Sequence, residues 1–288
     1  MGMRVVISAD MEGTCGVVSW VQVMPPEEGG GSGPTSTAEY ERARSRMTRE
    51  VNAAIEGALA GGADEVIVND SHDGMRNLVP EELHPACRFV SGSDKPLGMA
   101  QGVELPGVGA LLYTGYHAKA GTTAAPLAHT WTGWLNDVRF DGVSTGEFGI
   151  NAAVAGYFGV PVALVTGDAV AVAQVQAMLG DRVVGVAVKE GYSTFAALHL
   201  HPETAQQRIR EGAKAAVERA AGLAPWTMPP GTTVELDFDH QSRADAGATL
   251  AGVTRVGDRM ISFGTPDGLA FIQTFRAVMR AAGIRMSP

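Results

Sequence analysis

Two cysteines in 288 residues, Cys15 and Cys87, are too few for a disulfide scaffold and agree with a reducing compartment. Basic clusters are also missing. Lys and Arg number 22 against 31 Asp and Glu, a formal net charge of −9, which argues against nucleic acid or an anionic membrane as partner. No apolar run approaches the roughly 18 residues that a membrane span needs. The expected home is therefore the cytoplasm. HExxH and CxxC are absent as well, so any metal site must be assembled from dispersed residues.

What the chain does have is 45% hydrophobic and 18% charged residues, the composition of a soluble globular protein long enough to bury a sizeable core. Short β-branched runs alternate with longer Ala-rich amphipathic stretches. That pattern predicts an α/β fold with a largely parallel central sheet flanked by helices, and a C-terminal α/β part made of a hairpin and a helix. The expected strands are Val5 to Ser8, "DEVIVND", "CRFVSG", "GALLYTGYH", "PVALVTG", "DRVVGVAVK" and "TTVELDFDH". Ser36 and Glu39 form a capping box for a helix from Ala38 to about Ala60, ended by Gly61 and Gly62. Further helices are expected over "GEFGINAAVAGYFG", from Pro202 to Ala221, and from Pro266 to about Ala282. The proline-rich stretch Gly222 to Gly231 marks a soft boundary between a core, 1–221, and a C-terminal subdomain, 222–288. The segment "MPPEEGGGSGPTS", Met24 to Ser36, reads as a flexible loop beside the site. It has neither the GxGxxG register nor the Lys-Ser/Thr of a nucleotide loop.

In open α/β sheets ligands bind beyond the carboxyl ends of the strands. The first strand delivers Asp10 and Glu12 there, in "SADMEG". The second delivers Asn69, Asp70, His72 and Asp73 in "NDSHDG", and the fourth delivers Tyr116 and His117 in "GYHA". Glu147 opens the helix of "GEFGINA". Residues at i and i+2 of an extended segment share a side, so Asp10 and Glu12 can face one cluster. A mix of carboxylate oxygen and imidazole nitrogen suits a divalent cation such as zinc. The number of such groups exceeds what one tetrahedral catalytic ion uses, which favours two ions about 3.5 to 4 Å apart. Asp70 and Asp73 read equally well as turn caps, and Glu147 as a partner of the helix dipole. His129, in a loop rich in small residues and tryptophan, is placed to act as a general acid/base or as a stabiliser of developing charge. His199 and His201 are expected to be structural. Lys189 reads either as a holder of a substrate carboxylate or as a surface residue at a strand end. Cys15 is read as a small buried thiol, not a nucleophile.

"SADMEG" fits the SxDxEG signature of the DppA-type D-aminopeptidases, the M55 family of zinc peptidases. The resemblance continues in order through "NDSHDG", "GYHA", the "HT" at His129 and "GEFGINA", and it spans nearly the whole chain. It implies a two-zinc aminopeptidase with ligands Asp10, Glu12, His72, His117 and Glu147, with Asp10 as the bridging carboxylate. His129 matches the family's additional active-site histidine. A short peptide from which an N-terminal D-amino acid is hydrolysed is the implied substrate. The resemblance also implies a large homo-oligomer, a decamer of two stacked pentameric rings being the family's best-known form. The glycine-rich loop is longer than the family usually has. Two rival readings stand beside this one: a two-metal hydrolase of other amides or phosphoesters, and a metal-stabilised peptide-binding protein without turnover.

Overall fold

The computed structural model describes residues 2–25 and 36–283. The glycine-rich loop expected over Met24 to Ser36 lies, all but its ends, outside the described residues. In chain order the strands are β1 (Arg4–Ala9), β2 (Glu65–Asp70), β3 (Cys87–Val90), β4 (Val108–Tyr116), β5 (Leu135–Phe140), β6 (Val143–Thr145), β7 (Val162–Asp168), β8 (Val184–Ser193), β9 (Ala196–His199), β10 (Thr232–Phe238), β11 (Val253–Arg255) and β12 (Met260–Thr265). The helices are α1 (Trp20–Val23), α2 (Thr37–Ala60), α3 (Glu147–Tyr157), α4 (Ala169–Leu179), α5 (Pro202–Arg219), α6 (Gln241–Gly247) and α7 (Gly268–Ala282).

The main sheet has the order β3-β2-β1-β4-β7-β8-β9 and is parallel except at its β9 edge. This is the largely parallel sheet that the alternating pattern predicts. Side chains alternate across a strand, and β1 shows the consequence: Val5 and Ile7 pack with α2 and α5 on one face, whereas Val6 joins the core on the other. The chain leaves β1 toward β2 on one side, while β4 lies on the other. That reversal is a topological switch point, where the loops after β1 and β4 diverge and leave a crevice.

Helix α2 begins where expected, with the Ser36 hydroxyl accepting from the Glu39 backbone N–H at 3.4 Å. The reciprocal half of the capping box is replaced, because the Glu39 carboxylate accepts from Gln22 and pairs with Arg42. Helix α4 was not legible. Its "AVAVAQVQAML" mimics strand alternation, and its start is fixed by Asp168, whose Oδ1 accepts from the N–H groups of Val170 and Ala171.

A second, antiparallel sheet has the order β11-β12-β10-β5-β6. The expected C-terminal hairpin and helix are present as β11, β12 and α7. Segment 222–288 does not close this sheet by itself. Strand β10 pairs with β5, setting Val234 against Phe140 and Leu236 against Val138. The inward apolar row of β10 needs a partner row, and β5, the polar-rich strand after the His129 loop, supplies it. Phe275 of α7 closes this layer, fully buried, edge-on to Trp131 at 5.0 Å.

Truncating Phe275 to Ala is expected to cost about 3 to 5 kcal/mol through the lost burial and the cavity left behind. Chemical denaturation followed by circular dichroism measures it.

Candidate metal centre

Four strand and helix ends build the site, and close backbone contact brings those of β1 and β4 together. Asp10 N–H donates to Thr114 O at 2.8 Å, and Gly13 N–H donates to Gly115 O at 2.7 Å. A Cβ on Gly13 would stand 2.0 Å from Tyr116 O, so no larger residue fits between the β1 and β4 loops. Ser8, two residues before Asp10, sits beneath, with its hydroxyl 2.7 Å from both Tyr116 Oη and Met99 O. These contacts explain the serine and glycine of the SxDxEG spacing: they set the distance from the Asp10 and Glu12 segment to His117.

The β1 loop is stitched from within by Lys189 of β8. Its ammonium is buried and donates to Glu12 O at 2.5 Å, Val17 O at 2.6 Å and Thr14 O at 3.1 Å. Burial lowers its pKa to about 8, despite the neighbouring carboxylates that favour the charge. All three N–H donors are spent on the loop, so Lys189 is neither a substrate ligand nor a surface residue. Its sequence position gave no signal of this, since the contact spans about 175 residues.

All five expected ligands converge. His72 Nδ1 lies 3.0 Å from Glu12 Oε2 and 3.4 Å from Asp10 Oδ1. His117 Nε2 lies 3.4 Å from both Asp10 Oδ2 and Glu147 Oε1. His129 Nε2 stands further out, 3.8 Å from Glu147 Oε1 and 3.9 Å from Glu12 Oε1. It is also the most exposed of the three, its side chain at 16% against 7% for His72 and 2% for His117. The three rings share one feature. Each outer nitrogen faces a backbone carbonyl: His72 Nε2 to Val23 O at 2.7 Å, His117 Nδ1 to Ala118 O at 3.0 Å, and His129 Nδ1 to Leu127 O at 2.9 Å. A carbonyl only accepts, so each outer nitrogen carries a proton, and in the neutral ring the inner nitrogen presents its lone pair to carboxylate oxygens.

Lone pairs facing lone pairs in a buried space require positive charge between them. Asp10 Oδ2 and Glu12 Oε2 are buried and have no hydrogen-bond partner among the described residues. Two overlapping donor sets, Asp10 with Glu12 and His117, and His117 with His129 and Glu147, bring their atoms within 4.8 Å of one another. The buried nitrogen and oxygen donors fit a divalent zinc-like cation. Without one, protons must take its place. Burial, then the Glu12 charge, pushes Asp10 up to about 7. Burial opposes charge on His117, but Glu147, Asp10 and Glu12 outweigh it and raise that ring to about 10. Burial and the neighbouring His117 lower His129.

The remaining candidates have other work. Asp70 Oδ2 accepts from the N–H groups of Asn77 and Leu78 at 2.5 and 2.7 Å, the turn-capping alternative, and the acid stays out of the cluster. Asp73 lines the adjoining cavity. His199 Nδ1 accepts from Gly16 N–H at 3.0 Å and His201 caps α5. Cys15 is buried, and burial followed by the Glu50 charge pushes its thiol up to about 11, an unreactive state. The GxSxG spacing of Gly142 to Gly146 is a coincidence of pattern, since Ser144 lies in β6 and its hydroxyl donates to Asp137 at 2.5 Å.

The cluster opens into a cavity of about 680 Å3, a size that encloses a small ligand, with Trp20, Trp131 and Trp134 in its walls. The family model Peptidase_M55, D-aminopeptidase, matches residues 3–277. The D-aminopeptidase of Bacillus subtilis (strain 168) is 32% identical over 286 residues, covering 99% of both chains. A solved structure, the Zn-dependent D-aminopeptidase DppA from Bacillus subtilis, described as a self-compartmentalizing protease, superposes with a TM-score of 0.90. It is 30% identical over 99% of this chain and 100% of that one.

Two outcomes are expected. Cation binding at pH 7 must displace protons from His117 and, in part, from Asp10, so affinity falls as pH falls and the cluster refills with protons. Calorimetric zinc titrations in buffers of different ionisation enthalpy should show net proton release. Lys189→Met strands three buried carbonyls and is expected to cost about 3 kcal/mol, with a fall in bound zinc measured by elemental analysis.

Proposed function

We propose that this chain, which belongs to the M55 family of D-aminopeptidases, holds zinc through Asp10, Glu12, His72, His117 and Glu147 and releases D-amino acids from the N-termini of short peptides. Family membership makes it a metal-dependent aminopeptidase and removes the phosphoester and non-catalytic readings. The observation that carries the site assignment is the convergence of three histidine lone pairs on three buried carboxylates.

The donor set would hold two ions, and Asp10 is the carboxylate that would serve both. Its two oxygens face different histidines, Oδ1 toward His72 and Oδ2 toward His117, each at 3.4 Å. Zinc bound in this cluster supplies a Lewis acid that polarises the scissile carbonyl and lowers the pKa of a water. The protein's part is positional. Carbonyl acceptors fix the outer nitrogens of His72 and His117, so their inner nitrogens keep one orientation. Trp131 N–H donates to Glu147 Oε1 at 2.6 Å and holds that carboxylate at the start of α3. His129, further from the carboxylates and nearer the cavity, moves the proton: its Nε2 takes one from the attacking water and returns it to the leaving amine. Its ring is held by Leu127 O, stacked on His117 at 4.1 Å and edge-on to Trp20 at 5.3 Å. The free substrate amine is held at the carboxylate end of the cavity.

We also propose a homo-oligomer, decameric by the family precedent. The relative of known structure is self-compartmentalizing, and the β8–β9 hairpin exposes Tyr192, Phe195 and Leu198 at 70%, 58% and 55%, an apolar surface that a second subunit would cover. No described helix is long and apolar enough to cross a membrane. The cytoplasm, whose reducing conditions suit the free Cys15 and Cys87, is the compartment we assign.

Elemental analysis of the purified protein should find two zincs per chain, and it should release p-nitroaniline from the D-Ala anilide in preference to the L-Ala anilide until chelated. Zinc-loaded protein without amide hydrolysis would count against the activity. His129→Ala is expected to keep its zinc and lose about 10²- to 10⁴-fold in kcat, and full turnover in that variant would remove the proton-transfer role.

A further inference from the structure

The cavity that opens from the carboxylate cluster has a second pole of opposite sign. Arg276 and Arg280, one turn apart on α7, line it together with Lys95. Arg276 is largely enclosed, its side chain 15% exposed, and stands beside a second guanidinium, an arrangement that is unfavourable unless anions offset it. The anion present is a poor match. Both guanidiniums share a single oxygen, Asp94 Oδ1, at 3.4 Å from Arg276 Nη2 and 2.6 Å from Arg280 Nη2, on a carboxylate that is 79% exposed. Neither pair is the two-pronged guanidinium–carboxylate contact that Arg favours. Lys95, next in sequence, is buried and spends two N–H donors on Asn69 Oδ1 and Asp70 O, which holds its charge at the end of β2 and leaves the two arginines to share Asp94.

A short peptide is also a dipole. Its free amine and its scissile bond belong at the carboxylate and histidine end, and its C-terminal carboxylate leads away from them. Resting on the peptidase reading given above, we infer that Arg276 and Arg280 receive the C-terminal carboxylate of a short peptide, so that the enzyme reads charge at both ends of its substrate. Asp94 is the internal occupant of that carboxylate position and gives way to the substrate. Its backbone φ of 69° lies in the left-handed region that Asn tolerates equally well. Asp94→Asn therefore removes the charge without disturbing the turn.

The test compares D-alanyl-glycine with its C-terminal amide, D-alanyl-glycinamide, as substrates of the zinc-loaded full chain. Wild type is expected to favour the free acid by about tenfold or more in kcat/KM, mostly through KM. The double variant Arg276→Gln with Arg280→Gln should bring the two substrates to within about twofold of each other, judged as a ratio within each enzyme. Asp94→Asn should move the ratio the other way, by lowering KM for the acid. A clamp that merely fastens the Asp94 loop to α7 predicts instead that Asp94→Asn and the arginine variants fail alike on both substrates, and that result overturns the inference. Equal cleavage of acid and amide by wild type also overturns it while leaving the peptidase reading intact. Wild type that cleaves neither sinks both.

Discussion

Three carboxylates and three imidazole lone pairs are aimed at one another in a space that solvent hardly reaches, and the region around them is organised to keep them so. Such an arrangement is repulsive by itself. It is tolerable only with positive charge inside it, as protons or as metal ions, and a site that must be filled is one that binds. The outer face of the cluster is tied to backbone carbonyls of α1 and of the β4–β5 connection, so the inner atoms cannot turn away to find other partners.

The cost of this arrangement is met by rigid packing underneath. β1 and β4 are adjacent at the switch point of the sheet, and the glycine contact between their loops lets two ligand-bearing segments approach to backbone distance. Lys189 reaches from β8 to hold the β1 loop by three carbonyls, one of them that of Glu12 itself. Tyr113 and Tyr116, stacked at 4.2 Å, and the Ser8 hydroxyl fill the space below. A ligand set on flexible loops would relax until its charges separated. Here the supporting contacts prevent it.

The second sheet and α7 serve the first layer from outside. By pairing with β5, strand β10 anchors the chain that emerges from the His129 and Trp131 loop, and α7 closes over the same region with a buried aromatic face. The cavity is thus bounded by residues far apart in sequence: Trp20, the 93–95 segment, Trp131 and the far end of α7. Its lining combines the carboxylates of the cluster, the guanidiniums of Arg276 and Arg280, and the apolar faces of the tryptophans.

Much of the site was legible because strand ends are marked locally. A β-branched run followed by Asp-x-Glu, by Asp-Ser-His or by Tyr-His shows where a parallel strand stops and which polar groups it delivers, and topology rules place those ends on one rim. Helix α2 and the C-terminal hairpin and helix were readable for the same reason, since caps, glycines and periodicity are properties of a few adjacent residues. The sequence by itself determined the sheet class, the strand ends and the inventory of donor atoms. Only the tertiary structure decided which donors meet, that Lys189 is interior, that β5 belongs with β10, and that Arg276 shares a cavity with Asp10. The physical reason is range: each of these depends on the approach of segments tens to hundreds of residues apart, and no local pattern carries that distance.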